Sequence, residues 1–125
     1  LNVFAVFSLV QALLPLMPSG SQILNISSMG GITETQKFAG LSAYSSSKGA
    51  LSVLTECLGV ELQSKKISVN ALALGAVQTE MLQQAFPGLK APVDATSMGK
   101  FIMNFSIAAG TVMNGKIIPV ALSTP

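Results

Sequence analysis

Apolar residues fall along this chain in runs of two lengths, and their alternation predicts an architecture before any motif is considered. Val3 to Met17 is almost wholly apolar and reads as a buried helix over residues 3–14, closed by Pro15 and a Pro18-Ser19-Gly20 turn. Gln22 to Ser27 has strand length, and a glycine-containing loop follows at 29–41. Ser42 is placed to cap the next helix, whose apolar positions Ala50, Leu51, Leu54, Cys57, Leu58 and Leu62 recur at helical spacing. The polar run Gln63-Ser64-Lys65-Lys66 stops it, with lysines suited to the negative end of the helix dipole.

The second half repeats the pattern. Ile67 to Leu74 reads as a buried strand, Thr79 to Phe86 as a short helix or lid, and Pro87-Gly88 and Ala91-Pro92 as loop punctuation. Asp94 or Thr96 caps a helix running to about Ala109, and Asn114-Gly115 turns into a last strand from Lys116 to Leu122. Pro119 places that strand at an edge or distorts it. Helices alternating with continuously apolar strands imply parallel pairing, so the predicted fold is α/β, the back half of a Rossmann-like doubly wound sheet.

Composition narrows the picture. The chain has 125 residues, 50% of them hydrophobic and 10% charged, with a mean hydropathy of +0.61. That length suits one domain with a modest core, and so apolar a half-sheet is expected to leave a strand edge and helix faces for a partner to cover. A net charge of +2, from lysines scattered along the chain, gives no basic patch for nucleic acid. One cysteine and no histidine exclude an internal disulfide, a thiolate or imidazole zinc site and a Ser-His-Asp triad. Cys57 is read as a small core hydrophobe. Gln11 and Pro15 break the first apolar run short of the ~20 residues that span a bilayer, and no basic residue precedes it as in a signal peptide. No membrane association and a cytoplasmic location are therefore expected.

Candidate chemistry centres on Tyr44 and Lys48, one helical turn apart in Tyr-Ser-Ser-Ser-Lys and so on one face. A free phenol titrates near ~10, too high for acid-base work at neutral pH. An ammonium at ~4 Å in a partly buried site contributes roughly 4 kcal/mol, or about three pKa units, toward the phenolate. Carboxylates offer no competing mechanism. Glu56 and Glu61 diverge on the helix, and Glu34, Glu80 and Asp94 fall in loops or caps.

Around this pair stand Gln22-Ile23-Leu24-Asn25-Ile26-Ser27-Ser28 with Gly30-Gly31 upstream, and Ile67-Ser68-Val69-Asn70-Ala71-Leu72 with Gly75-Ala76-Val77-Gln78-Thr79 downstream. Together these resemble the short-chain dehydrogenase/reductase family, in the family's own order, from Asn2 to about Ile118. The resemblance implies that Ser28 holds the substrate oxygen while Tyr44 gives or takes its proton. It implies that Lys48 tunes the tyrosine and, with Tyr44, contacts the nicotinamide ribose. By the same resemblance Asn2 kinks the central helix and completes a proton relay, and Gly75, Val77 and Thr79 hold the nicotinamide carboxamide. The implied cofactor is NAD or NADP and the substrate a small carbonyl or secondary alcohol.

The chain departs from the family pattern in several places. No G-x-G-x-x-G turn for the cofactor pyrophosphate occurs, so residues 1–125 are expected to be the C-terminal part of a single NAD(P)-binding domain, inactive alone. Ser28 precedes Tyr44 by 16 residues, whereas the family usually leaves about 13. That count lands on Gly31, so either the loop holds three extra residues or Ser28 is not the family's serine; the polar run Thr33 to Lys37 favours the insertion. Leu74 stands where the family has proline, and the last strand lacks the family's paired glycines. Two functions remain open: an oxidoreductase, or a noncatalytic module that self-associates. By the resemblance, a homo-oligomer through the helices at 3–14 and 43–62 suits both.

Overall fold

The computed structural model describes residues 1–122. The first apolar run forms α1, Phe4–Leu13, without a side-chain cap, and Pro15 lies in the first turn of a 3-10 segment, Leu14–Leu16, where no amide donor is needed. Strand β1, Gln22–Ser28, leads through a 3-10 turn, Met29–Gly31, and a loop to the long helix α2, Ser42–Glu61. Strand β2 is Ser68–Leu74. Two-residue strand β3, Val77–Gln78, precedes short helix α3, Glu80–Ala85, which Thr79 caps. Strand β4, Val93–Asp94, runs into α4, Ala95–Ala108, and β5, Ile117–Val120, ends the described chain.

The expected parallel sheet is present. β2 lies between β1 and β5, with Gln22 to Ser28 in register with Ser68 to Leu74 and Ala71 to Leu74 in register with Ile117 to Val120. Pro119 thus sits on an edge strand, where a missing amide costs least. A second, two-stranded parallel sheet joins β3 to β4; its strands are too short to show a sequence period.

The core lies between α1, α2 and one face of the sheet. Val10, Leu58, Leu62, Ile67 and Val69 are buried together, flanked by Val6, Leu14, Met17, Ile23 and Leu54. Because alternate strand residues face opposite ways, Gln22 and Ser68 point to the other face, where they meet the turn after α4 at Gly110. Asp94 rather than Thr96 caps α4, accepting from the Ser97 amide at 2.9 Å.

Two local expectations fail. Ser42 does not cap α2, because the helix already includes it and the preceding residue is Leu41, without a capping side chain. Cys57 is exposed, not core. The buried stripe of α2 runs through Leu51, Thr55, Leu58 and Leu62, leaving Val53, Cys57 and Val60 outside.

Polar side chains fix how α2 sits on β1. Asn25 and Ser27 alternate along the strand toward the helix, and both are buried. Asn25 donates to Thr55 Oγ1 at 2.9 Å, and that hydroxyl donates to the Leu51 carbonyl at 2.9 Å. Ser27 donates to the Lys48 carbonyl at 3.1 Å, with Ser52 Oγ 3.3 Å away. A helix slipped by one turn would take Thr55 from Asn25 and strand that buried amide, at about 1–3 kcal/mol.

Candidate active site

Ser28 ends β1 and Gly75 follows β2, so both strands deliver their candidate residues to the carboxyl edge of the sheet, where ligands of open parallel sheets bind. Ser28 Oγ accepts the Gly30 amide at 3.2 Å, which turns the backbone and leaves its own O–H free to donate. A methyl at Gly30 would lie 3.6 Å from Ser28 Oγ and 3.2 Å from Ser45 Oγ. The turn that Ser28 caps therefore approaches α2 at Ser45, the residue after Tyr44.

Position 31 tells a further story. A Cβ there would sit 2.6 Å from the Lys48 carbonyl carbon and 2.7 Å from the Gly49 amide nitrogen. The residue at the family's usual serine distance thus has no room for any side chain. The turn Met29–Gly31 runs flush against α2 at the lysine, and the extra residues lie beyond it.

Tyr44 and Lys48 share a side of α2 as their spacing predicts, with Lys48 Nζ 5.9 Å from the centre of the Tyr44 ring, inside cation–π range. The ammonium donates to the Ile26 carbonyl at 2.9 Å. Burial pushes the Lys48 pKa below the ordinary lysine value.

Asn2 precedes α1 rather than kinking it, since the helix begins at Phe4. Its amide donates to Ser47 Oγ at 2.9 Å, and Ser47 donates to the Tyr44 carbonyl at 2.7 Å. Asn2 is thereby tied to the turn that carries both Tyr44 and Lys48. Asn2 and Lys48 also line a groove of about 460 Å³ along α1 and β1, whereas Ser28, Tyr44 and Thr79 lie outside its lining.

Beyond β2, the Gly75 amide donates to the Val120 carbonyl at 2.9 Å, and a Cβ would fall 2.6 Å from that of Ala121. Close approach of the last strand, not an unusual dihedral, requires this glycine. Val77 lies in β3, and Thr79 Oγ1 accepts the Leu82 amide at 3.2 Å, so its hydroxyl hydrogen is free to donate. Phe86, at the end of α3, meets Phe38 edge-on with centroids 5.3 Å apart.

Sequence reasoning missed Ser27, Asn25, Ser47 and the loop residues Thr35 and Lys37. The first two carried a signal: polar residues at period two on the strand face Ser52 and Thr55, three apart on the helix. Ser47 and Thr35 carried none, because their partners are defined only by the folded loop.

Fold and site define a Rossmann-like α/β protein with a serine at a strand end and a tyrosine–lysine pair on the next helix. Known proteins agree. The structure superposes on the RhlG/NADP active-site complex of Pseudomonas aeruginosa with a TM-score of 0.78 and 30% identity, over 97% of this chain and 55% of that one. It superposes on a blue fluorescent protein from a metagenomic library, in complex with NADPH, at TM-score 0.80 and 26% identity, over 96% and 51% of the two chains. In sequence it is 33% identical to a rhamnolipids biosynthesis 3-oxoacyl-[acyl-carrier-protein] reductase of Pseudomonas aeruginosa, over 96% of this chain and 53% of that protein. Residues 1–90 match the short chain dehydrogenase family model, and the chain belongs to that family. It spans about half the length of these relatives.

Proposed function

We propose that the protein carrying these residues is an NAD- or NADP-dependent oxidoreductase acting on a small carbonyl or secondary alcohol. The observation that carries this reading is the Lys48 ammonium over the Tyr44 ring, on the helix against which the turn after Ser28 packs at the carboxyl end of a parallel sheet. Relatives whose structures hold NADP or NADPH, and one named as a 3-oxoacyl reductase, support it.

The donors on this chain suit the nicotinamide end of such a cofactor. Lys48 has three N–H donors and one recorded bond, to Ile26. The hydroxyl hydrogens of Ser28 and Thr79 are free, since both oxygens act as acceptors toward backbone amides. Lys48 and Tyr44 would meet the ribose hydroxyls, and Gly75, Val77 and Thr79 the carboxamide. When bound, the nicotinamide supplies or accepts the hydride. Ser28 donates to the substrate oxygen and holds it at the phenol, and Tyr44 gives that oxygen a proton in reduction or takes it in oxidation. Asn2, through Ser47, holds the turn that presents the pair. The chain has no glycine-rich turn for the pyrophosphate. Residues 1–125 therefore act as the C-terminal part of one cofactor-binding domain, and the isolated chain has negligible turnover.

A noncatalytic, self-associating role is the second reading. The outer faces of α1 and α2 support it, with Phe4, Leu9, Val53 and Val60 exposed, and a homo-oligomer through these helices accompanies either reading. Tyr44→Phe in the full chain as its gene encodes it separates them. An enzyme loses about 10²–10⁴-fold in turnover with its oligomeric state intact; unchanged turnover would defeat the catalytic assignment.

A further inference from the structure

Between Ser28 and Tyr44 the chain makes a small loop at residues 32–37, closed by the side chains of Thr35 and Lys37. The Thr35 hydroxyl hydrogen is shared between the carbonyls of Met29, at 2.7 Å, and Ile32, at 2.9 Å. Lys37 Nζ donates to Thr35 Oγ1 at 2.7 Å, the Ile32 carbonyl at 2.7 Å and the Thr35 carbonyl at 2.9 Å. All three donors of the ammonium are used. Charge-assisted bonds of this kind are the stronger class of hydrogen bond.

The loop also holds strain. Glu34 has φ +66°, the left-handed region that a residue with a β-carbon enters only at a cost. Such a conformation persists where neighbouring bonds over-determine it, as Thr35 and Lys37 do on either side.

What the clamp grips gives it a role. Met29 follows Ser28 directly, is buried, and opens the 3-10 turn that Ser28 caps. The same turn ends at Gly31, which touches the backbone of Lys48 and Gly49. One rigid turn thus connects Ser28 to the segment of α2 that carries Lys48, and Thr35 fixes its first carbonyl. We propose that Thr35, held by Lys37, is a positioning residue that fixes the Ser28 hydroxyl relative to Tyr44 and Lys48. The inference rests on the oxidoreductase reading and assigns the 32–37 loop to that site.

The experiment compares Thr35→Val, which keeps the shape and loses the hydroxyl, with Thr35→Ser, which keeps it, in the full chain as its gene encodes it. Carbonyl reduction is followed by oxidation of NADPH or NADH, and deuterium exchange is followed over residues 28–33. T35V is expected to lower kcat at least tenfold with the KM for the nicotinamide cofactor within twofold, and to speed exchange of that segment at least fivefold. T35S is expected to restore both to within about threefold, as a bulk packing role for the side chain would not require. Wild-type kcat in T35V, with turnover still sensitive to Tyr44→Phe, overturns the positioning role and leaves the proposed function standing. Should the wild type show no turnover, the proposed function fails separately. In that case unchanged exchange in T35V overturns the clamp as well, and faster exchange rescued by T35S upholds it.

Discussion

Gly31→Ala is the substitution to which this site should be most sensitive for its size. The added methyl would sit 2.6 Å from the Lys48 carbonyl carbon, 2.7 Å from the Gly49 nitrogen and 2.8 Å from Lys48 Cβ. Two of these are backbone atoms of a packed helix and cannot rotate away. Restoring ordinary contact at ~3.5 Å requires the turn and α2 to separate by roughly 1 Å. Overpacking of this kind costs about 1–3 kcal/mol of stability. A 1 Å displacement between reacting groups costs about 10²-fold in turnover, and Ser28 and Lys48 lie on opposite sides of the widened contact. Gly30→Ala is the control, since its methyl would meet only the Ser45 and Ser28 hydroxyls, at 3.2 and 3.6 Å. Urea unfolding of the full chain and its turnover with a reduced nicotinamide measure both effects. If G31A matched wild type in stability and turnover while G30A did not, the claim that this turn sets the serine-to-lysine distance would be wrong.

Two further substitutions test the supports of the site. Thr55→Val removes the buried acceptor of the Asn25 amide and should lower the unfolding free energy by about 1–3 kcal/mol, read from the urea midpoint; Asn25→Ala combined with it should add little, since the shared bond is already gone. Lys48→Met tests the half-buried ammonium through pH. Burial lowers the folded pKa of Lys48, so the unfolded chain binds this proton more tightly and stability rises with pH. The penalty is fully present below the folded pKa and gone above the unfolded value near ~10.4. Urea midpoints followed upward to about pH 11 should therefore rise more in wild type than in K48M, and parallel profiles would count against the buried charge.

The larger features were legible because they rest on periodicity and on strong local signals. The long apolar runs predicted the helices and the parallel strands, Asp94 and Asn114-Gly115 marked where α4 and the last strand begin, and Pro119 marked that strand as an edge. Short features were not legible. β3 and β4 have two residues each, below any period, and Ser42 looked like a cap because nothing in the sequence shows that α2 already includes it. Cys57 was misjudged for a different reason. α2 is apolar on two faces, and spacing alone does not say which one the sheet covers. The tyrosine, lysine and serine were named from spacing and resemblance, but the extra residues between Ser28 and Tyr44 acquired meaning only with the positions of Gly31 and Thr35.

The same contrast explains why polar groups sit where an apolar strand was read. Leu51, Leu58 and Leu62 would pack α2 against β1 and β2 in more than one register, because branched aliphatic side chains tolerate sliding. Asn25 against Thr55 does not, since a slip of one turn brings Leu51 or Gly59 to that place and leaves the amide without its hydroxyl partner. Register matters here more than in an ordinary core, because Lys48 lies one turn and Tyr44 two turns before Ser52. A slip of one residue would rotate the phenol about 100° from the strand end that carries Ser28. The buried threonine and asparagine thus cost some apolar burial, and in return they hold α2 in one register on β1.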